Sequence, residues 1–393
     1  MELVEQIQVR PSSELSELCH HAKILYNVGN FHVRQFFFLL GECINYYDLQ
    51  YILKDVACYR TLPAQTNQQV LKLLFQNWRA FFAAVKEYKI CPSKFMGRPR
   101  PPGYKPKDAE CVATFTNQNT RVKEGQIHFP KSCHLPPLKT RITHYKQVRV
   151  IPHGNYYTVE VVYEQEVQDL GLDKARVVGI DLGLSNLVTI ANNVGTAPRI
   201  IKGGAAKAVN QFYNKQNAKM QSQKDLQHYA FQTKRQQQLL RWRANQMRDV
   251  FHKVSRRVVA YCIENNIGST AIGHNAGWKQ GLNLGRRTNQ NFVQVPFSAL
   301  IHMIEYKAQL VGISVIKVGE AYTSRCSFID GESVEKHAHY CGRRVKRGLF
   351  LTGAGKKINA DVNAALNILK KAIPEAFCYG IVGLVTVPCS LSI

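Results

Sequence analysis

Two aspartates, Asp181 and Asp361, carry the clearest chemistry in this sequence. Asp181 follows the apolar run Val177-Val178-Gly179-Ile180, a bend at Leu182-Gly183 comes next, and a second apolar run, Asn186 to Ala191, returns beside the first. The pattern predicts a buried strand hairpin that ends in a carboxylate. Burying such a group costs several kcal/mol unless something compensates it, and a divalent cation is the compensation that best suits a bare aspartate. Asp361 lies within Ile358 to Leu369, in the first turn of an amphipathic helix whose apolar residues include Val362, Ala365, Leu366 and Leu369. Taken singly, each has an ordinary reading, Asp181 as a turn residue and Asp361 as a helix cap. Together they could share one face and one metal.

The elements that must position them follow from periodicity. Beyond the first strand pair, Gly203 to Arg257 has no proline and many Gln, Ala and Leu, which predicts one or two long helices. Ser269 to Ile272 reads as a strand, Phe297, Leu300, Ile301, Ile304 and Ala308 as a helix, and Ser314 to Val318 as a short buried strand ending at Glu320. This succession fits an RNase H-like layer of helices on a mixed sheet. Nearer the N-terminus, Leu15 to Leu53 reads as helical with an aromatic patch at Phe36, Phe37 and Phe38. From Gln65 to Lys89 the stripe Val70, Leu74, Trp78, Phe81 and Val85 reads as core. Val148, Val150, Tyr157, Val159 and Val161 alternate about the turn residues His153-Gly154-Asn155, which predicts a β-hairpin.

Charge names the kind of partner. The 393 residues include 52 Lys and Arg against 27 Asp and Glu, a formal net charge of +25 with 45% hydrophobic content. That describes a globular chain suited to a polyanion. No apolar run reaches the about 20 residues a spanning helix needs, so nucleic acid is favoured over a membrane. The eleven cysteines are odd in number and scattered, and the acidic start Met1 to Glu5 lacks a signal-peptide pattern, which predicts reduced thiols in a cytosol. Candidate nucleic-acid contacts cluster in four places. The proline-rich stretch Cys91 to Asp108 carries Lys94, Arg98, Arg100, Tyr104, Lys105 and Lys107 as a pre-extended strap. Gly203 to Arg257 holds twelve Lys or Arg against two acids, with Arg235, Arg241, Arg243, Arg256 and Arg257 as the phosphate contacts. A polar loop from Gly273 to Gln294 adds Trp278, Lys279, Arg286 and Arg287, and Arg343, Arg344, Lys346 and Arg347 make a last basic patch.

The segments Gly179-Ile180-Asp181-Leu182-Gly183 and Asn359-Ala360-Asp361-Val362-Asn363-Ala364-Ala365-Leu366-Asn367-Ile368 resemble the first and third acid motifs of the RuvC nuclease as carried by the TnpB family. TnpB proteins are transposon-encoded RNA-guided nucleases related to type V CRISPR effectors. The resemblance extends over most of the chain, through L-P-A-Q at Leu62, P-R-P-P-G-Y-K-P-K at Pro99, G-W-K-Q at Gly277, N-Q-N-F-V-Q-V-P-F at Asn289, Y-T-S at Tyr322 and K-R-G-L-F at Lys346. It implies an α+β multi-domain fold: a wedge β-barrel over 1–10 and 91–170, a helical recognition lobe inserted at 11–90, and an RNase H-like RuvC domain over 171–320 and 358–372. A basic insert at 321–357 stands in place of a zinc ribbon, and 373–393 form a tail without a motif. The implied activity is a metal-dependent DNA endonuclease using Mg2+ or Mn2+. It would be directed by a guide RNA from the encoding element to double-stranded DNA beside a short duplex motif, in the cytoplasm and on the nucleoid when bound to DNA.

Two departures from the family pattern set further expectations. Two-metal cleavage needs more than two carboxylates, and the third acid of most TnpB-like proteins falls here on Gly273. Either the site is dead or another acid serves. Glu320 is the natural substitute, because neighbouring strands lie about 4.8 Å apart and a Glu leaving the next strand can lean across; Glu305, set among apolar helix neighbours, is a weaker one. The ribbon has also lost half its ligands: Cys326 is followed at the C-x-x-C spacing by Ile329, and Cys341 by Arg344. Cys326, His337, His339 and Cys341 are the set that would rebuild a tetrahedral zinc site. The alternative functions are a nuclease-dead RNA-guided DNA-binding repressor and a small type V CRISPR effector. A RuvC-type resolvase is shorter and lacks the N-terminal lobes, and a DNA-joining transposase needs paired-end recognition of which the sequence shows no sign.

Overall fold

The computed structural model describes residues 1–274, 294–346, 348–377 and 387–392. The chain divides into two compact units, Met1–Gln165 and Glu166–Ile393.

In the first unit, strand β1 (Glu2–Val9) precedes helices α1 (Ser13–Leu40), α2 (Tyr46–Leu53), α3 (Ala57–Arg60) and α4 (Ala64–Ile90). Helix α1 starts where the Ser12 side chain accepts from Leu15 N–H, and stops at Gly41, whose φ of 72° is the left-handed conformation that glycine adopts without steric cost. Seven short strands complete the unit: β2 (Ala113–Thr116), β3 (Arg121–Lys123), β4 (Gln126–His128), β5 (Leu138–Lys139), β6 (Gln147–Pro152) and β7 (Tyr157–Glu164), with β1 as the seventh. An antiparallel sheet runs in the order β1-β7-β6-β2, and β3-β4-β5 form a smaller one. The predicted stripe of α4 supplies Val70, Leu74 and Trp78 to a core shared with Leu25 of α1 and Phe115, Val148, Val159 and Val161 of the sheet.

The second unit is built on a six-stranded sheet ordered β12-β11-β8-β9-β10-β16. Its strands are β8 (Asp173–Leu182), β9 (Asn186–Asn192), β10 (Arg199–Lys202), β11 (Ile267–Gly273), β12 (Ser314–Val318) and β16 (Cys389–Leu391). Strands β8, β9 and β10 pair antiparallel in sequence, while β11 and β12 run parallel to β8. A mixed sheet accompanied by helices is what the succession of elements predicts. Helices α5 (Gly204–Leu226), α6 (Lys234–Glu264), α7 (Phe297–Leu310) and α8 (Ala360–Ala372) accompany it, with a small antiparallel sheet β13-β14-β15 (Arg343–Lys346, Leu349–Leu351, Lys357–Asn359) just before α8. Alternation along β8 sorts the layers. Val178, Ile180 and Leu182 pack with Phe251 and Val254 of α6 and Leu300 and Ile304 of α7, whereas Val177 packs with Ala271, Ile368 and Leu369 on the α8 side.

Two expectations change. Strand β12 is the sheet's outermost strand and is half to fully exposed rather than buried, because it has a neighbour on one side only. The tail also has a role that its composition did not announce: β16 pairs parallel to β10 and closes the opposite edge. Among the described residues no helix is long and apolar enough to cross a membrane.

Candidate active site

Gly179 sets how close α8 comes to β8. A Cβ there would lie 2.0 Å from the Ala365 carbonyl oxygen and 2.9 Å from Leu369 Cβ, so only a residue without a side chain lets the helix backbone rest on the strand. Four helical residues rise about 6 Å and two strand residues about 6.6 Å. Asp361, one turn before Ala365, therefore comes level with Asp181, two positions beyond Gly179 on the same strand face.

Gly273 does the same for a third acid. The register pairs Ala271 with Gly179 and Ile272 with Ile180, which carries Gly273 alongside Asp181. On its other side Gly273 pairs with Val318, two residues before Glu320. A Cβ on Gly273 would stand 2.7 Å from Glu320 Oε1 and 2.8 Å from Glu320 Cγ. The Glu320 side chain thus fills the space that a side chain at 273 would take.

The electrostatics follow from this convergence. Asp181 is held well above the usual carboxylate range, first by burial and then by the charges of Glu320 and Asp361, with the Arg344 guanidinium working in the other direction. Burial pushes Glu320 up to about 7. Both oxygens of Asp361 are engaged: Arg344 Nη2 donates to Oδ1 at 3.2 Å and Asn186 Nδ2 to Oδ2 at 2.6 Å. Asn359 caps α8 by accepting from the Asp361 and Val362 N–H groups, which fixes the helix's first turn. A set of oxygen donors with no thiolate or imidazole suits a hard divalent cation such as Mg2+ or Mn2+. Glu305 is drawn away, paired with Lys317 at 2.8 Å.

The segment 321–357 is held by a carboxylate. Glu332, buried, accepts from Ser327 N–H at 2.6 Å and from Cys341 N–H at 3.0 Å, so one side chain joins the turns that carry Cys326 and Cys341. Cys326 is buried with its thiol on the Glu335 carbonyl, Cys341 is exposed, and His337 bonds to the Ser333 carbonyl. Cys326, His337, His339 and Cys341 are not brought together, and among the described residues no group of three or more His, Cys, Asp or Glu stands close enough to hold an ion, the carboxylates of Asp181, Glu320 and Asp361 included. Asn363 and Asn367, on one face of α8, both donate to the Cys326 carbonyl and tie this segment to the helix that carries Asp361. Sequence reasoning passed over Glu332, Asn186, Asn363 and Asn367. The four-residue spacing of the last two within the third-acid motif was the available signal.

The basic candidates fall into distinct groups. In the strap, Arg98, Arg100, Tyr104 and Lys107 are exposed, Lys94 pairs with Glu87, and Lys105 lies over the Tyr26 ring. The strap is pinned to α1: Asn27 and Lys105 exchange hydrogen bonds, Asn30 and Arg34 donate to the Pro102 carbonyl, and Lys23 donates to that of Lys107. Arg235 and Arg256 are exposed and Arg241 half-buried, while Arg257 donates to the Ser392 carbonyl. Arg243 spends its donors inside the unit, on Asn210 Oδ1 and the Gln294 carbonyl, and stacks over Tyr213. Arg343, Arg344 and Lys346 line β13, exposed. Trp278, Lys279, Arg286, Arg287 and Arg347 lie outside the described residues.

Comparison with known proteins adds relatives to this geometry. Residues 160–279 match the family described as OrfB_IS605, probable transposase, and residues 297–368 the one described as Cas12f1-like, TNB domain. The TnpB-like protein ORF457 of Acidianus two-tailed virus is 29% identical over 208 residues, 50% of this chain and 42% of its own. The CRISPR-associated endodeoxyribonuclease Cas12f1 of Sulfoacidibacillus thermotolerans is 28% identical over 233 residues, 56% of this chain and 51% of its own. The chain spans about half the length of the curated relatives it matches. Among solved structures, the Cas12f1-sgRNA-target DNA complex superposes with a TM-score of 0.57 at 16% identity, covering 91% of this chain and 83% of that one. The mini-RNA-guided endonuclease CRISPR-Cas_phi3 gives 0.53 at 10%, covering 99% and 94%. At these identities the likeness is one of fold, a mixed α+β multi-domain architecture.

Proposed function

This chain is a TnpB-family relative, and from that premise we propose that it is an RNA-guided DNA endonuclease with a RuvC-type site formed by Asp181, Glu320 and Asp361. The observation that carries the reading is the Glu320 side chain filling the place left by Gly273 beside Asp181. A site without function has no reason to keep Glu320 and Asp361 close enough to a buried Asp181 to raise its proton affinity further. Asp181, Glu320 and Asp361 would hold magnesium or manganese, which would supply activation of water and charge neutralisation at the leaving oxygen. The chain's own contribution is to aim the carboxylates: β8 presents Asp181, the β12 end presents Glu320, and the capped start of α8 presents Asp361. Arg344, on Asp361, would offer its guanidinium to the scissile phosphate.

The first unit would serve as wedge and recognition lobe, with the strap following a nucleic-acid backbone. Guide pairing would supply sequence specificity while the protein reads a short duplex motif. A small type V CRISPR effector is the second reading, favoured by the match of 297–368 to the TNB domain; the RNA that copurifies separates the two. The test is cleavage of a plasmid library by the protein purified with its co-expressed RNA in magnesium. The parent is expected to cut, and Asp181→Ala to bind the same targets without cutting. A parent that binds but never cuts is a guided binder, and the nuclease reading fails.

A further inference from the structure

Asn186 joins two parts of the site that no backbone connection holds. It opens β9 just after the Leu182-Gly183 bend, and its Nδ2 donates to Asp361 Oδ2 at 2.6 Å, so the hairpin that carries Asp181 grips the helix that carries Asp361. Its Oδ1 accepts from Lys202 Nζ at 3.3 Å. Lys202 reaches it because the β9–β10 register slips between Ile201 and Lys202, setting Lys202 opposite Asn186. A bulge of this kind re-aims a side chain beside a site. The loop is fixed from behind as well. Gly203 N–H donates to the Ser185 carbonyl at 2.8 Å, Lys207 Nζ donates to Ser185 Oγ at 2.8 Å, and a Cβ on Gly203 would lie 2.2 Å from the Leu184 carbonyl oxygen.

The chemistry of an amide explains the choice of residue. Arg344 already sets a guanidinium on Oδ1, and a second positive side chain on Oδ2 would compete further with a cation. An Asn donates without charge, and a carboxylate oxygen keeps a further lone pair for a ligand. An amide can flip, however, and point its oxygen at the carboxylate. The Lys202 ammonium has only donors, so it holds Oδ1 and obliges Nδ2 to face Asp361.

Resting on the nuclease reading, we propose that Asn186 is a positioning residue that orients Asp361 for a divalent cation, with Lys202 fixing the orientation of its amide. The test uses the full-length chain with Asn186→Ala and Lys202→Ala. Mn2+ binding is followed by electron paramagnetic resonance on the protein without RNA, and the magnesium dependence of guided cleavage on the complex. Asn186→Ala is expected to raise the half-saturating ion concentration about 10- to 100-fold in both measurements, the range for groups that orient a metal ligand. Guided DNA binding should stay unchanged, and Lys202→Ala should give a smaller shift in the same direction. Lys202 is exposed, so its variant reports even where Asn186→Ala fails to fold. Unchanged ion affinity in both variants overturns the proposal. If the parent never cleaves, the nuclease reading falls by itself while the Mn2+ measurement still decides this one.

Discussion

Moving the third carboxylate back by one strand tests the reading of Glu320 directly. The variant is Gly273→Glu combined with Glu320→Ala, measured beside Glu320→Ala and Gly273→Ala. A Cβ at 273 overlaps Glu320 Oε1 at 2.7 Å, Glu320 Cγ at 2.8 Å and Ile368 Cδ1 at 2.7 Å, all nearer than real Cβ contacts come. Ile368 can swing its flexible end; Glu320 can move only by leaving the site. Gly273→Ala should therefore cost about 1–3 kcal/mol of stability through overpacking. It should also lose cleavage nearly as fully as Glu320→Ala, on the order of 10²- to 10³-fold, or about 3–4 kcal/mol of barrier at 1.36 kcal/mol per tenfold. The double variant places its carboxylate alongside Asp181 from the adjacent strand and should recover at least about tenfold over Glu320→Ala. Single-turnover cleavage of a guided plasmid, with guided binding as the control for folding, provides the assay. Parent-like cleavage by Glu320→Ala would refute the assignment, and a double variant no better than that single variant would refute the claim that the two positions serve one location.

Two further outcomes follow from the electrostatics and from the rebuilt ribbon. With Glu320 raised from 4.5 to about 7 and Asp181 raised as well, the folded protein without metal binds protons that the unfolded chain has released. Its stability should then fall as pH rises from about 4.5 through about 7, while stabilisation by magnesium, which needs the deprotonated carboxylates, grows over the same window. Melting curves with and without magnesium at about pH 5.5 and about pH 8 should show the larger metal-dependent rise at the higher pH; equal rises would count against the linkage. Glu332→Ala removes the acceptor of two backbone N–H groups, about 1–3 kcal/mol each, or several degrees in Tm. In magnesium-free buffer a zinc chelator should leave the parent's Tm unchanged, and the purified chain should carry less than stoichiometric zinc. Stoichiometric zinc, with a Tm that drops on chelation, would overturn the carboxylate joint.

What the sequence made legible was the set of strongly periodic elements and the acids attached to them. Val177 to Asp181 and Val362 to Leu369 are dense in apolar residues at strand and helix spacing, and such residues must find partners, so both elements were readable. The closeness of their contact was not. It depends on Gly179 lacking a side chain, and a glycine at a contact looks the same in sequence as one in a turn. The exposure of β12 was hidden for a similar reason: Val315, Ile316 and Val318 look like a core strand whether one neighbour or two flank them. The tail pairs through three residues, Cys389 to Leu391, too few to leave a period. Glu332 is the plainest case. Its burial is compensated by backbone N–H groups, which every residue offers, so no partner residue type advertises it.

Relocating a ligand across strands is possible because a metal responds to where oxygen atoms lie and is indifferent to which backbone supplies them. Parallel strands β11 and β12 present residues on one face about 4.8 Å apart, within the reach of a Glu side chain, so an acid on β12 can serve a position on β11 only if β11 yields its own side-chain space. Glycine is the residue that yields it, and Gly273 stands in contact range of the carboxylate it makes room for. On the proposed nuclease reading the two positions constrain each other: Glu320 serves the site when 273 is Gly, and a Gly at 273 is tolerated when 320 is Glu. Without a cation the arrangement is under strain, with Asp181 driven toward its neutral form by burial first and then by two neighbouring carboxylates. Arg344 and Asn186 bond Asp361 directly, and the Arg344 guanidinium also opposes the rise at Asp181; a divalent cation would remove the strain that remains.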